Sequence, residues 1–149
     1  MRRKLAPAQM SESFRIGAML AVIGGFFDSY TYLCRGGVFA NAQTGNMVLL
    51  GIDLAEGDFI HALHYVVPVL AFALGVAMAE WVKFQFKTQQ MRFHWRQIVI
   101  LLEMILVLFV GFLPQQVNLL ANTCISFICA LQVESFRKMR GSAFATTMC

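Results

Sequence analysis

The sequence FANAQTGNMVLLGI, residues 39–52, determines how the rest of the chain is interpreted. It places an amide-rich stretch containing a glycine between segments that are apolar enough to cross a bilayer. Polar groups at membrane depth are tolerated only where protein or a water-filled cavity satisfies them. A soluble loop does not need Val-Leu-Leu directly after Gln-Thr-Gly-Asn, and a plain membrane anchor does not need the amides. The stretch therefore indicates a site inside a membrane protein.

The composition of the whole chain points the same way. Its 149 residues are 58% hydrophobic and 13% charged, with a mean hydropathy of +0.65, whereas about 25% of the residues of soluble domains are charged. The net charge is +4, but the basic residues cluster at the ends of apolar runs, in residues 2–4, 83–96 and 137–140. That placement is typical of the positive-inside rule. We therefore expect a lipid bilayer, and no nucleic acid, as partner.

Apolar runs predict the membrane spans, since a hydrocarbon core about 30 Å thick requires about 20 apolar helical residues. The predicted spans are residues 16–33, 59–82, 97–113 and 117–136, with an ambiguous fifth segment at 38–54. Phe26, Phe27 and Asp28 follow the first apolar run in place of a small-residue cleavage site. We therefore expect a retained span rather than a signal peptide.

Charge bias favours one topology for residues 38–54. The basic residues 2–4 predict a cytoplasmic N-terminus. If residues 38–54 crossed the membrane, the acidic loop around Asp53 and Asp58 would lie inside and the basic residues 83–96 outside, against the rule. We therefore expect a re-entrant or broken segment that enters and leaves on the same side.

Two spans carry small residues at four-residue spacing, which lets helix backbones approach closely in lipid. One predicted packing face is formed by Gly17, Ala21 and Gly25 and continues to Asp28; the other is formed by Ala71, Gly75 and Ala79.

A weak internal repeat adds to this fold prediction. Asp28-Ser29-Tyr30 precedes the amide-rich stretch, and Glu134-Ser135-Phe136 occupies a similar place before residues 143–147. With a re-entrant segment, the two copies would have opposite orientations, which is the inverted repeat common in transporters. The predicted fold is an all-α, polytopic transmembrane bundle, forming one membrane domain over residues 1–149.

Two sequence blocks carry a family resemblance. GGFFDSYTYL (residues 24–33) and GVFANAQTGN (residues 37–46) resemble the YoaK family, also called DUF1275, a bacterial inner-membrane family of unknown function. Residues 130–147 are similar to that family's second block, where a Thr-Gly pair normally follows and this sequence stops. The resemblance implies a multi-pass protein of the bacterial inner membrane, transporter-like and without an established substrate. It also implies a chain truncated at its C-terminus.

Polar residues at membrane depth are the candidate site. A carboxylate near a helix centre costs roughly 2.5–3.5 kcal/mol on insertion scales, so Asp28 is expected to couple a proton or cation, to contact substrate, or to anchor two spans. The amides supply donors and acceptors, and Gly45 lets the backbone turn; they either bind a ligand or cap a broken helix. The candidate substrate- or ion-binding residues are Asp28, Asn41, Gln43, Thr44, Gly45, Asn46 and Glu103.

Other ionisable residues are interpreted more plainly. Glu103 lies within the third span, either as a functional acid or solvated near the interface, and Glu134 is expected to form a surface ion pair. His61 and His64 are three residues apart, but an ordinary interfacial pair is favoured over a metal site.

The sequence contains no nucleophile elbow, phosphate-binding glycine loop or HExxH motif. We therefore expect no enzyme, catalytic residue, metal or cofactor. The predicted function is a transporter-like protein that moves or binds a small molecule or ion. The alternative is a non-transporting membrane scaffold or regulator, and the sequence leaves the oligomeric state open.

Overall fold

The computed structural model describes residues 14–88, 95–136, 138–139 and 142–143. Within those residues the chain forms helices α1 (Phe14–Cys34), α2 (Gln43–Glu56), α3 (Phe59–Thr88), α4 (Trp95–Gly111) and α5 (Asn118–Ser135). A single 3-10 turn, Gln115–Val117, precedes α5, and strands β1 (Lys138–Met139) and β2 (Ser142–Ala143) pair antiparallel. Apart from those two short strands, the predicted all-α bundle is confirmed.

Three helical stretches are long and apolar enough to cross a membrane, namely Arg15–Cys34, Phe59–Gln85 and Gln115–Ser135, and Gln97–Gly111 is a shorter apolar helix. These stretches overlap the four predicted spans. Large apolar side chains such as Val22, Leu74 and Leu108 lie exposed on the outside of the bundle. An apolar exterior of this kind suits lipid rather than water.

The closest helix packing joins α3 to α5. A Cβ added at Gly75 would lie 2.6 Å from the Ala130 Cβ and 2.9 Å from the Phe127 carbonyl oxygen. Further along both helices, the Lys83 Nζ lies 3.2 Å from the Glu134 Oε1. Higher residue numbers in α3 thus contact higher residue numbers in α5, so the two helices run in the same direction.

Helices α1 and α4 run the opposite way. The end of α4 contributes Val110 to a core cluster with Ala121 and Ile125 from the start of α5. Its beginning contributes Val99 to a second cluster with Ala79 and Leu131. We call the end of the bundle where α4 finishes and α5 begins the α5-start end.

The end of α1 also lies at the α5-start end. The Arg35 side chain donates to the carbonyl oxygens of Leu113 and Pro114, at 2.9 and 3.0 Å. The Asn122 Nδ2 donates to the Arg35 carbonyl oxygen at 2.9 Å. Helices α1 and α5 are therefore antiparallel, as the predicted inverted repeat requires; the repeat itself stays a prediction.

The ambiguous segment at 38–54 divides into a non-helical stretch and a helix. After α1 the chain turns through Gly36 and Gly37, both with positive φ (92° and 77°). It then returns into the bundle, where Ala40 belongs to the same core cluster as Val110 and Ile125. Helix α2 follows and ends at Gly57, which has a φ of 81°.

Helix α2 has 14 residues, which corresponds to about 21 Å, less than a bilayer core of about 30 Å. Since α3 starts at the α5-start end and α2 is joined to it by a two-residue turn, residues 35–58 enter and leave the bundle at one end. We call residues 35–42 the break. How this segment lies in a membrane stays a prediction.

One predicted packing face is confirmed, whereas the other is wrong at Ala21 and Gly25, since only Gly17 of its three small residues is buried. A Cβ added at Gly25 would meet nothing within 4 Å outside its own helix, and Ala21 is also exposed. Residues 71, 75 and 79 of α3 are all buried. Small residues recur every four positions in both helices, but at Gly75 of α3 a neighbouring helix lies in close contact, whereas at Gly25 of α1 none does.

Candidate functional site

Asp28 on α1 accepts hydrogen bonds from the backbone just before α2. Its Oδ1 accepts hydrogen bonds from the backbone N–H groups of Asn41, at 2.6 Å, and Ala42, at 3.3 Å. The first N–H groups of a helix have no partner within the helix, and they carry the positive end of its dipole. Ala42, the N-cap residue of α2, makes no side-chain cap hydrogen bond of its own. A carboxylate from a neighbouring helix thus accepts from the N–H of the N-cap residue and from the N–H just before it.

The amides of the stretch satisfy the backbone of the break. The Asn46 Oδ1 accepts from the Phe39 N–H at 2.9 Å, while its Nδ2 donates to the Phe39 carbonyl oxygen at 2.6 Å. Asn46 also donates to the Gln43 Oε1, and the Gln43 Nε2 donates to the Ala40 carbonyl oxygen at 2.7 Å. Asn46 is fully buried. Of the two roles predicted for these amides, capping of a broken helix accounts for the contacts of Gln43 and Asn46.

Gly45 and Thr44 have different environments. A Cβ at Gly45 would lie 2.8 Å from the Phe39 ring, so the glycine lets that ring lie against α2. The ring also stacks on Tyr32, with centroids 4.7 Å apart. Thr44 is exposed, whereas Asn41 is buried. The break is thus closed on one side by aromatic rings, with Thr44 outside.

Glu103 lies apart from the other six predicted residues. It is 9% exposed and faces a cavity of about 640 Å³ whose lining comes from α1, α4, α5 and Phe136 and includes no residue of the break. Its Oε1 has no hydrogen-bond partner among the residues that the structure describes. Asp28 and the five residues 41 and 43–46 therefore form one group, and Glu103 belongs to a second place in the bundle.

Arg35 is a buried residue whose role the sequence analysis missed. It is 2% exposed, and its Nε donates to the Tyr30 hydroxyl at 2.7 Å. Its other two guanidinium nitrogens donate to the two carbonyl oxygens of the turn just after α4. A cation at a helix C-terminus is favoured by the helix dipole. Arg35, the first residue of the break, thereby connects the end of α1 to the end of α4. Two features of the sequence could have indicated this role. Arg35 directly follows an apolar span, and Pro114 marks the end of another span whose last carbonyl oxygens need donors.

Polar side chains of α5 continue the polar region inward from the α5-start end. Asn118, Asn122 and Ser126 are spaced four residues apart on one side of the helix. The Oδ1 atoms of both asparagines and the Ser126 Oγ are buried and have no hydrogen-bond partner within the described ranges. Since Asn122 also contacts Arg35, this row of acceptor oxygens begins next to the break.

The predicted position of Glu134 differs from the structure. Glu134 is buried, not at the surface, and pairs with Lys83. The His61 Nδ1 lies 2.7 Å from the Asp53 Oδ2, and the rings of His61 and His64 are 5.5 Å apart. No group of three or more metal-ligating side chains occurs among the described residues. Residues 144–147, the end of the predicted repeat, lie outside them.

Comparison with known proteins gives a family and no function. Residues 16–149 match a family model described as "Protein of unknown function (DUF1275)". No curated protein and no solved structure matches the chain. Any assignment of function therefore depends on the geometry of this chain.

Proposed function

The chain belongs to the DUF1275 family of proteins of unknown function, and from that premise we propose that it is a transporter-like protein that moves a small molecule or ion. The segment from the break to the end of α2 is its moving element, and Asp28 is the group that holds that element. We place the protein in the bacterial inner membrane with several spans and a cytoplasmic N-terminus.

The observation that carries this proposal is the contact between Asp28 and the start of α2. Secondary transporters commonly have helices that begin inside the bundle at their substrate and ion sites, with the N-termini directed at anionic substrate groups. Here the chain just before α2 also lies inside the bundle, where its N–H groups donate to the carboxylate of Asp28. A bundle that served only as an anchor would have no need of a helix start in its interior, since a continuous helix satisfies its own backbone.

The segment has the features of a hinged element. Glycines in the left-handed conformation lie at both of its ends, at Gly36 and Gly37 before the break and at Gly57 after α2. Hinges are short stretches at element ends that absorb changes in φ and ψ. Movement about these points would carry α2 as a rigid unit and would separate its N-terminus from Asp28.

The charge of Asp28 sets the strength of the contact. An ionised carboxylate accepts from both N–H groups, and hydrogen bonds to a charged group contribute about 1.5–3 kcal/mol. A proton or a bound cation at Asp28 weakens this attraction and releases the start of α2. The row of acceptor oxygens on α5, at Asn118, Asn122 and Ser126, supports a polar path from the α5-start end toward the segment.

Proton flux in proteoliposomes tests the proposal. The purified protein is reconstituted in vesicles loaded with a pH-sensitive dye, a potential is imposed, and flux is recorded with a panel of amino acids, carboxylates, nucleosides and amines. We expect flux with one panel class that is lost in Asp28→Asn, while the variant reaches the membrane at the wild-type level. The matched control Glu56→Gln changes an exposed carboxylate at the far end of α2 and should keep the flux.

Two outcomes would oppose transport. The first is flux no greater than that of empty vesicles with every panel class. The second is an Asp28→Asn variant that supports the cellular role of the protein in full, while changes on an exposed helix face abolish it. That pattern would favour the scaffold or regulatory alternative.

A further inference from the structure

A cavity between α1, α4 and α5 is the second distinctive place in the bundle. It has a volume of about 640 Å³, within the range of pockets that hold small organic molecules. Aliphatic side chains such as Leu20, Ile100 and Ile128 form most of its wall. Its polar lining residues are Glu103 on α4 and Gln132 on α5. An apolar volume with a small number of polar groups is typical of a ligand site.

Glu103 gives this cavity a specific chemistry. The side chain is more than nine-tenths buried, and its Oε1 has no hydrogen-bond partner within the described part of the chain. An ionised carboxylate accepts hydrogen bonds and donates none, so it needs a donor or a cation. Leaving a buried charge unpaired costs several kcal/mol.

The described cationic side chains do not supply that partner. No lysine or arginine occurs among the residues that line the cavity. Lys83 pairs with Glu134, and Arg15 is exposed. Arg35 is bound to Tyr30 and to carbonyl oxygens of the turn after α4. The cavity wall thus presents one acidic group with no described basic side chain opposite it.

We propose that this cavity binds an apolar organic cation, with the cationic centre beside Glu103 and the hydrocarbon part against α1 and α4. Phe27 and Phe136 also line the cavity, and aromatic rings attract cations. Met19 and Met104 supply flexible thioether side chains that adapt to ligands of different shape. The site is separate from the break, so it goes beyond the proposed transport function and its test does not need transport.

Equilibrium binding of tetraphenylphosphonium to the protein in lipid nanodiscs tests the proposal. This probe is a permanent cation with an apolar exterior, and tetraphenylborate is an anion of nearly the same shape. We expect saturable binding of the cation above that of empty nanodiscs, no competition by the anion, and at least a tenfold loss of affinity in Glu103→Gln. Glu80→Gln makes the same change at an exposed site on α3 and should bind like the wild type.

Several results would overturn the proposal. Wild-type protein that takes up no more probe than empty nanodiscs would mean that lipid or another protein segment fills the cavity. Equal affinities of the wild type and Glu103→Gln, or equal losses in Glu103→Gln and Glu80→Gln, would show binding without a role for Glu103. Should Glu103→Gln fail to elute as a folded species, Ile128→Phe, which fills the cavity, replaces it; unchanged binding by that variant would also refute the site.

Discussion

Replacing Gly75 by alanine tests the packing on which the bundle depends. The added Cβ would lie 2.6 Å from the Ala130 Cβ and 2.9 Å from the Phe127 carbonyl oxygen, whereas carbon atoms pack best at about 3.5–4.0 Å. Both neighbours belong to the backbone or are fixed to it, so neither can rotate away. Helices α3 and α5 must therefore separate by about 1 Å at this level, a gap that forfeits a quarter to a half of each contact's attraction.

The expected loss of stability follows from two opposing terms. Overpacking a close contact costs about 1–3 kcal/mol, and replacing glycine by alanine within a helix gains about 1 kcal/mol. We expect a net destabilisation of about 0–2 kcal/mol relative to the wild type, and of about 1–3 kcal/mol relative to a control substitution that has only the helix gain. For chains of this length, each kcal/mol lowers the unfolding temperature by about 2–4 °C.

Thiol reactivity during heating measures this change. Cys129 on α5 is fully buried in the core of the bundle. A thiol-reactive fluorophore therefore reports unfolding in a background where the other three cysteines, Cys34, Cys124 and Cys149, are replaced by serine. Gly25→Ala is the matched control, since its Cβ would meet nothing within 4 Å outside its own helix, and it should match or exceed the stability of the wild type. A Gly75→Ala variant as stable as Gly25→Ala would refute the close packing of α3 and α5.

Three further substitutions test the region of the break. Arg35→Gln replaces the charged guanidinium group that joins α1 to the end of α4 by a shorter, neutral amide, and we expect a loss of about 3 kcal/mol. Tyr30→Phe removes one acceptor of that group and should cost about 1 kcal/mol. Equal unfolding temperatures for the two variants would contradict this role of Arg35. Asn46→Asp keeps an acceptor for the Phe39 N–H but loses the donor to the Phe39 carbonyl oxygen, at a cost of about 1–3 kcal/mol. Hydrogen exchange measured by mass spectrometry should then be faster in residues 39–46, and unchanged exchange would show that the amide does not hold the break.

Local signals in the sequence predicted most of the helices. Apolar runs of sufficient length correspond to α1, α3, α4 and α5, because a helix is the structure that satisfies its backbone without water. The glycines and amides of residues 36–46 predicted an interruption, and the chain is non-helical at 35–42. Pro114 likewise predicted the end of a span, and α4 finishes shortly before it, at Gly111.

Contacts between distant parts of the chain could not be predicted in this way. Arg35 bonds to residues 78 and 79 positions away, and Lys83 pairs with Glu134 across 51 positions. Each partner is chosen by how the helices pack, which no local pattern encodes. The same reason explains the two glycine faces, since Gly25 and Gly75 have equal spacing signals but only Gly75 meets a neighbouring helix.

The sequence predicted which residues lie together at the candidate site better than it predicted what each of them contacts. Asp28 and the amides do lie together, but the structure shows Gln43 and Asn46 bonded to the backbone of their own segment. Glu103 was included because acids are rare within spans, and nothing in the sequence indicated that it faces a different cavity. The acceptor row on α5 was visible as polar residues, although its position beside Arg35 was not.

The central claim is that residues 35–58 enter and leave at the same end of the bundle, and the accessibility of single cysteines tests it most directly. Asp58→Cys, Gln116→Cys and Gln85→Cys are made in a background without the four native cysteines and treated with an impermeant thiol reagent in intact cells. We predict that the cysteines at 58 and 116 react from outside and that the one at 85 reacts only after lysis. A cysteine at 58 that is protected in intact cells while the one at 116 reacts would contradict the claim.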